Sequence, residues 1–303
     1  MKISIIGGGG LVGSQTALLI LLQDVADNVY LYDKDHTKAL GEVMDINQCM
    51  SVLNNEKECI TNDDISIIDD SDIIIVAVGR RRIVNETRTD LFMPNKNDVM
   101  DVCNSIKTHA PNAVILMVTN PSDDFAKLAR ELTSCVVHPI GTDLDTARLR
   151  ELIHMKTSTP RREITSYVSG EHGENMLPLT RFAQVSGKSL PTILSQEKLD
   201  EIFTLTKNVA AEVIKLKGAT VHAPGNAISS MIESVVKDKK HVMPVSTYLD
   251  GEYGYSDVTI GVPAVIGKNG VEKINELDLN QDEKEWFDKG VNSVKNALAG
   301  IDI

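Results

Sequence analysis

The chain has 303 residues, with 31 Lys and Arg against 43 Asp and Glu, a formal charge of −12, and 42% hydrophobic residues. This is the composition of an ordinary globular protein of about two domains, and its acidic balance argues against a nucleic acid or a membrane surface as partner, since both need clustered Lys and Arg. Cys49, Cys59, Cys103 and Cys135 lie far apart, with no CxxC pair and no zinc-finger histidine. They read as reduced thiols of a cytoplasmic protein, and no metal site is expected.

The first half alternates β-branched runs with helical stretches. Strands are expected at Ile3–Ile6, Asn28–Tyr32, Ile73–Val78, Ala113–Val118 and Cys135–Val137, with helices near 11–23, 38–50, 90–108 and 123–132. The run Ile73-Ile74-Ile75-Val76-Ala77-Val78 shows no in/out alternation, as expected when helices cover both sheet faces. Such alternation predicts a parallel, doubly wound α/β sheet with ligands beyond the carboxyl ends of its strands. The apolar stretch 3–22 is interrupted by Gly7–Gly10, has only Lys2 before it and no small-residue cleavage site after it. It therefore reads as part of the fold rather than as a targeting segment. After about residue 140 the rhythm changes. Helices near 199–217 and 224–238 precede strands near 241–249 and 257–267, and a last helix follows Asn280 to the end. That order predicts an α+β second domain, with the division at 1–140 and 141–303.

Directly after the first strand stands Gly8-Gly9-Gly10-Leu11-Val12-Gly13, a GxGxxG that opens a helical run. Gly8 would allow a tight turn, Gly10 close approach of backbone N–H groups to a pyrophosphate, and Gly13 close helix–strand packing. The helix N-terminus adds about half a positive charge. Asp33, twenty residues beyond Gly13, should accept hydrogen bonds from a ribose diol and repel a 2′-phosphate. Gly8, Gly10, Leu11, Val12, Gly13 and Asp33 are thus the candidate contacts of NAD rather than NADP.

Past the third apolar strand comes Gly79-Arg80-Arg81-Arg82-Ile83-Val84-Asn85-Glu86-Thr87-Arg88, four arginines within nine residues of an acidic protein. Further on lie Val118-Thr119-Asn120-Pro121, Gly141-Thr142-Asp143-Leu144-Asp145-Thr146-Ala147-Arg148 and Gly170-Glu171-His172-Gly173-Glu174. In this order and spacing, over essentially the whole length, the segments resemble the lactate/malate dehydrogenase family, and most of all its malate dehydrogenases of lactate dehydrogenase-like type. The resemblance implies a Rossmann NAD-binding domain followed by an α+β substrate domain, NAD as cofactor, a 2-hydroxy acid as substrate, and assembly as a homodimer or homotetramer.

It also implies roles. His172 resembles the base that takes the hydroxyl proton, and Asp145 the carboxylate that orients it. Arg148, three residues later and so on the same helical face, resembles the clamp on the C1 carboxylate. Arg88 resembles the arginine that polarises the reacting carbonyl, and Asn120 a contact to both substrate and cofactor. Val118 and Asn95 match cofactor-contacting positions, and Asn120–Pro121 is a candidate cis peptide by the same resemblance. Arg82, six residues before Arg88, stands where malate dehydrogenases carry Arg and lactate dehydrogenases carry Gln. An arginine there predicts a preference for oxaloacetate over pyruvate of about 10²–10³. The global charge does not forbid a dianion, because screening acts beyond about 8 Å at physiological salt.

The chain departs from the malate-type pattern in places. The loop lacks the usual prolines and glycine, leaving Arg81 and Arg82 as alternatives for the discriminating side chain. Glu86 is acidic where an apolar residue is usual, Ser122 and Asp124 make polar flanks for Asp123, and Pro139 replaces a glycine. Thr220 and His222 fall in a segment that lines the substrate pocket in relatives. Three rival readings stand beside the malate one. A lactate or other 2-hydroxy acid dehydrogenase would differ only in the loop. An NAD-dependent glycosidase would need a metal held by Cys and His, and no Cys stands beside a matching His motif. A non-catalytic NAD-binding protein predicts degenerate catalytic positions.

Overall fold

Strands apolar along their whole length need cover on both faces. The computed structural model, which describes residues 1–83 and 86–298, shows how this chain supplies it. Strands β1 (Ile3–Ile6), β2 (Asn28–Tyr32), β3 (Glu58–Thr61), β4 (Ile73–Val76), β5 (Val114–Met117) and β6 (Val136–Pro139) form a parallel sheet in the order β3-β2-β1-β4-β5-β6. Ile73 and Ile75 of β4 pack with Ile20, Leu21 and Val43 of α1 (Leu11–Leu22) and α2 (His36–Val52). Ile74 and Val76 face the other way, onto Val99, Phe125 and Leu128 of α3 (Phe92–His109) and α4 (Ser122–Thr133). The strand order reverses between β1 and β4, which places the crevice for a ligand at their carboxyl ends.

Strand ends differ from the apolar runs for physical reasons. β4 and β5 stop early because the Val118 and Thr119 N–H groups both turn back onto the Val76 carbonyl, at 2.9 and 3.1 Å. β6 runs later than expected, since His138 and Pro139 still pair with Leu116 and Met117. Pro139 is tolerated because β6 is the sheet's edge and no outer strand needs its missing N–H. β3 carries no alternating signal; it is a four-residue edge strand with only Cys59 buried.

The next helix, α5 (Gly141–Thr157), buries Thr142, Asp145 and Thr146 beside Leu144, Leu149 and Ile153. This polar content on the inward face masks the helical hydrophobic period in the sequence. Short strands follow: β7 (Ile164–Thr165), β8 (Val168–Gly170), β9 (Met176–Pro178), β10 (Gln184–Val185) and β11 (Lys188–Ser189). α6 (Gln196–Lys217) ends at Gly218 with φ +86°, the left-handed stop expected at Lys217-Gly218. α7 (His222–Val236) begins two residues before its expected start, with Pro224 in its first turn, where a missing N–H costs nothing. The long antiparallel pair β12 (His241–Asp250) and β13 (Ser256–Gly267) is joined by β14 (Gly270–Ile274) and by β8 and β9, in the expected α+β arrangement. α8 (Gln281–Leu298) closes this half, and its expected continuation through 299–303 lies outside the described residues.

Side chains stitch the halves together. Gln23, which caps α1, donates to Asn226 Oδ1 at 2.6 Å and accepts from Ser229 of α7 at 2.8 Å. Among the described residues no helix is long and apolar enough to cross a membrane.

Candidate active site

A cleft of about 680 Å³ runs from the glycine turn after β1, past Val118 and Asn120 after β5, to Arg148 and His172. At its nucleotide end the left-handed residue is Gly7, at φ +91°, one position before the GxGxxG. The run of four glycines supplies one more than the motif needs, and this extra residue makes the turn. Gly8 instead solves a packing problem, since a Cβ there would lie 2.7 Å from the Leu31 Cβ. Gly13 behaves as its place in the motif requires: a Cβ would come within 2.4 Å of the Gly7 carbonyl oxygen. α1 has no side-chain cap and no acidic residue in its first turn. Its N-terminal N–H groups are therefore left for an outside acceptor. Leu11 and Val12 line the cleft beside them. Asp33, at the end of β2, accepts from the Gly9 N–H at 3.1 Å and the Asp35 N–H at 3.0 Å. Two backbone donors thus hold a carboxylate at the lip of the turn.

Asn120 reaches the cleft, the Asn120–Pro121 bond is cis, and among the described residues the Asn120 Oδ1 has no hydrogen-bond partner. An orphaned acceptor, a cradle that admits only glycine and an open helix end together fit a dinucleotide with a polar head group. Asn95 is not itself among the residues lining the cleft. It is buried behind the turn, accepting from the Arg80 N–H at 2.8 Å and donating to the Asn120 carbonyl at 3.1 Å. Its amide pins the loops after β4 and β5 to each other.

At the substrate end, α5 projects two charged groups from one face. Asp145 is fully buried and accepts from His172 Nδ1 and from Arg148 Nη1, both at 2.6 Å. Burial alone would push the Asp145 carboxyl up. The His172 imidazole, with Arg148 and Arg88, outweighs burial and holds it well below the usual carboxylate range. A charged Asp145 can only accept, so Nδ1 carries the proton and Nε2 keeps its lone pair. Burial, reinforced by Arg88 and Arg148 and opposed by Asp145, lowers the His172 pKa and keeps the ring neutral. The His172 N–H donates to Asp123 Oδ2 at 2.8 Å. Asp123 thus anchors the histidine's backbone, a role its place after Asn120-Pro121-Ser122 did not reveal. Asp123 and Asp124 are both buried, and burial pushes their carboxyls up to about 7 and about 8.

Arg81 and Arg82, the two neighbours left open, both line the cleft but differ in burial. Arg81 is exposed, whereas Arg82 is half-buried where burial and the charges of Arg88 and Arg148 all lower its pKa. Arg88 is buried beside Asp145 and His172. Three mutually repelling guanidiniums thus gather around a neutral imidazole, with Asp145 paired to Arg148 and Glu174 within charge range of Arg82. Thr220 lines the same cleft, but His222 is turned onto Gln15 Oε1 at 3.1 Å.

Family models described as the NAD binding domain and the alpha/beta C-terminal domain of lactate/malate dehydrogenase match residues 1–138 and 142–301. A malate dehydrogenase of Aliarcobacter butzleri is 37% identical over 98% of this chain and 96% of its own length. Among solved structures, Cryptosporidium parvum malate dehydrogenase superposes with a TM-score of 0.95 at 31% identity, covering 98% of this chain and 97% of its own. The lactate dehydrogenase of the same organism, complexed with lactic acid and nicotinamide adenine dinucleotide, superposes at 0.94 with 29% identity, covering 98% and 96%.

Proposed function

The chain belongs to the lactate/malate dehydrogenase family, and from that premise we propose that it is an NAD-dependent malate dehydrogenase, moving a hydride reversibly between (S)-malate and NAD. The observation that carries the substrate is the placement of Arg82: half-buried and close enough to Arg88 and Arg148 for their charges to interact, it sets a further guanidinium where the far carboxylate of a dicarboxylate would lie. With pyruvate in place, Arg82 would be enclosed without its partner, which adds a desolvation penalty.

In this reading Arg148 holds the carboxylate next to the reacting carbon and Arg82 the far one. His172 Nε2 takes the hydroxyl proton of malate, and Asp145 stabilises the resulting imidazolium. Bound NAD supplies the hydride acceptor at the nicotinamide ring. Arg88 and Asn120 act on the oxygen that becomes the carbonyl, and the donor of Arg88 strengthens as water leaves. The backbone N–H groups at Gly10 to Gly13 and the Asp33 carboxylate hold the dinucleotide, with Val118 against it. The division at 1–140 and 141–303 separates the two tasks. Cytoplasmic location is supported by the four free cysteines. Assembly as two or four copies is supported by Leu40 and Met44, which α2 leaves exposed. Sedimentation of the purified protein checks the assembly.

A substrate panel tests the function. With NADH, kcat/KM for oxaloacetate should exceed that for pyruvate by about 10²–10³, and NADPH should serve poorly. Preference for pyruvate would overturn the substrate, and no NADH oxidation with either acid would overturn the enzyme.

A further inference from the structure

The loop carries an anion among its arginines. Glu86 lies close enough to Arg82 for their charges to interact, so a free carboxylate here would compete with the substrate for the guanidinium that reads its far end. In the structure both Glu86 oxygens are already engaged. Oε1 accepts from Arg80 Nη2 at 2.7 Å, and Oε2 from Arg80 Nη1 at 2.9 Å and from the Ile83 N–H at 3.1 Å. This bidentate fork is the strongest geometry for an Arg–carboxylate pair. Arg80 grips from a fixed base. Its N–H donates to Asn95 Oδ1, whose amide also ties the Asn120 carbonyl. Gly79 before it, at φ +88°, is pressed so close that a Cβ would meet Asn95 Oδ1 at 2.5 Å.

We propose that Arg80 is a specificity-positioning residue: it sequesters the Glu86 carboxylate and so keeps Arg82 available for the far carboxylate of a four-carbon diacid. The proposal deepens the substrate reading above and rests on it. The Arg80–Glu86 pair is partly exposed, with side chains 41% and 21% accessible. Pairs of this kind contribute little to global stability, so variants should fold. The effect lies in where the Glu86 charge goes once Arg80 is removed.

The test measures oxaloacetate and pyruvate reduction with NADH for wild type, Arg80→Ala, Arg80→Lys and the double variant Arg80→Ala with Glu86→Gln. Arg80→Ala should raise the oxaloacetate KM about tenfold, the size of one charge-assisted hydrogen bond, with kcat retained. Pyruvate, which has no far carboxylate, should change less than about twofold. Arg80→Lys should fall between, because it keeps the charge and loses the fork. Neutralising Glu86 in the double variant should restore the oxaloacetate KM to within about threefold of wild type. A double variant as impaired as Arg80→Ala, or an Arg80→Ala that loses both substrates equally, would make Arg80 a loop scaffold and overturn the proposal alone. A wild type without oxaloacetate preference would remove the substrate reading itself, and the proposal with it.

Discussion

In the proposed reading the two ends of the cleft recognise their ligands by different means. The nucleotide end is built from backbone: an uncapped helix, a turn that excludes any Cβ, and a carboxylate held by two N–H groups. The substrate end is built from side chains that arrive from four distant segments, Arg82 and Arg88 after β4, Asn120 after β5, Asp145 and Arg148 on α5, and His172 after β8. Backbone recognition is rigid and indifferent to most substitutions, but it fails wherever a Cβ cannot fit. Side-chain recognition is adjustable, most readily at the half-buried Arg82, whereas fully buried Asp145 also holds its neighbours.

That contrast can be broken in graded steps. The largest effect should come from His172→Asn, which leaves the nucleotide end intact: kcat should fall about 10³–10⁴-fold while NADH affinity, read by fluorescence titration, stays within about twofold. Arg82→Gln should shift the oxaloacetate-to-pyruvate ratio of kcat/KM by about 10²-fold. A substrate panel on this variant checks it, and an unchanged ratio would move the discriminating role to another arginine. At the backbone end Gly13→Ala should do the opposite of His172→Asn. The 2.4 Å approach to the Gly7 carbonyl forces a backbone shift worth about 1–3 kcal/mol. NADH affinity should drop about tenfold and the melting temperature should fall.

The smallest effect comes from a residue that does not line the cleft. His138 on β6 is buried, and burial with nearby Arg130 lowers its pKa to about 4. The unfolded chain, with an ordinary histidine near 6.5, binds the proton that the folded chain refuses. His138 therefore contributes nothing to the pH dependence above about 6.5, and it destabilises progressively as pH falls from there towards 4. His138→Gln should flatten the loss of melting temperature over that window by a few degrees. Parallel melting curves for the two proteins would show that the ring is already solvated.

What the sequence makes legible follows the same division. The parallel sheet and the glycine turn rest on local patterns: apolar runs, a motif and a following helix. β3 was illegible because an edge strand needs few apolar residues, and α5 because Thr142, Asp145 and Thr146 point inward. The candidate substrate groups come only from the family resemblance, since no local pattern joins residue 82 to residue 172. The resemblance alone does not convey that the Asn95 amide also ties the loops after β4 and β5 together, a limit of that route. Glu86 shows the same limit. Alone it reads as a defect in a dicarboxylate site, and only the fold sets Arg80 against it.

Asp145 is shared, one oxygen on Arg148 and the other on His172. When an acid arrives and draws part of the guanidinium charge to itself, the helix-borne anion is less neutralised, and its pull passes to the ring on its other side. Occupancy thereby raises the proton affinity of the imidazole. In the proposed reading, a bound acid would thus strengthen the very proton acceptor that its own oxidation requires.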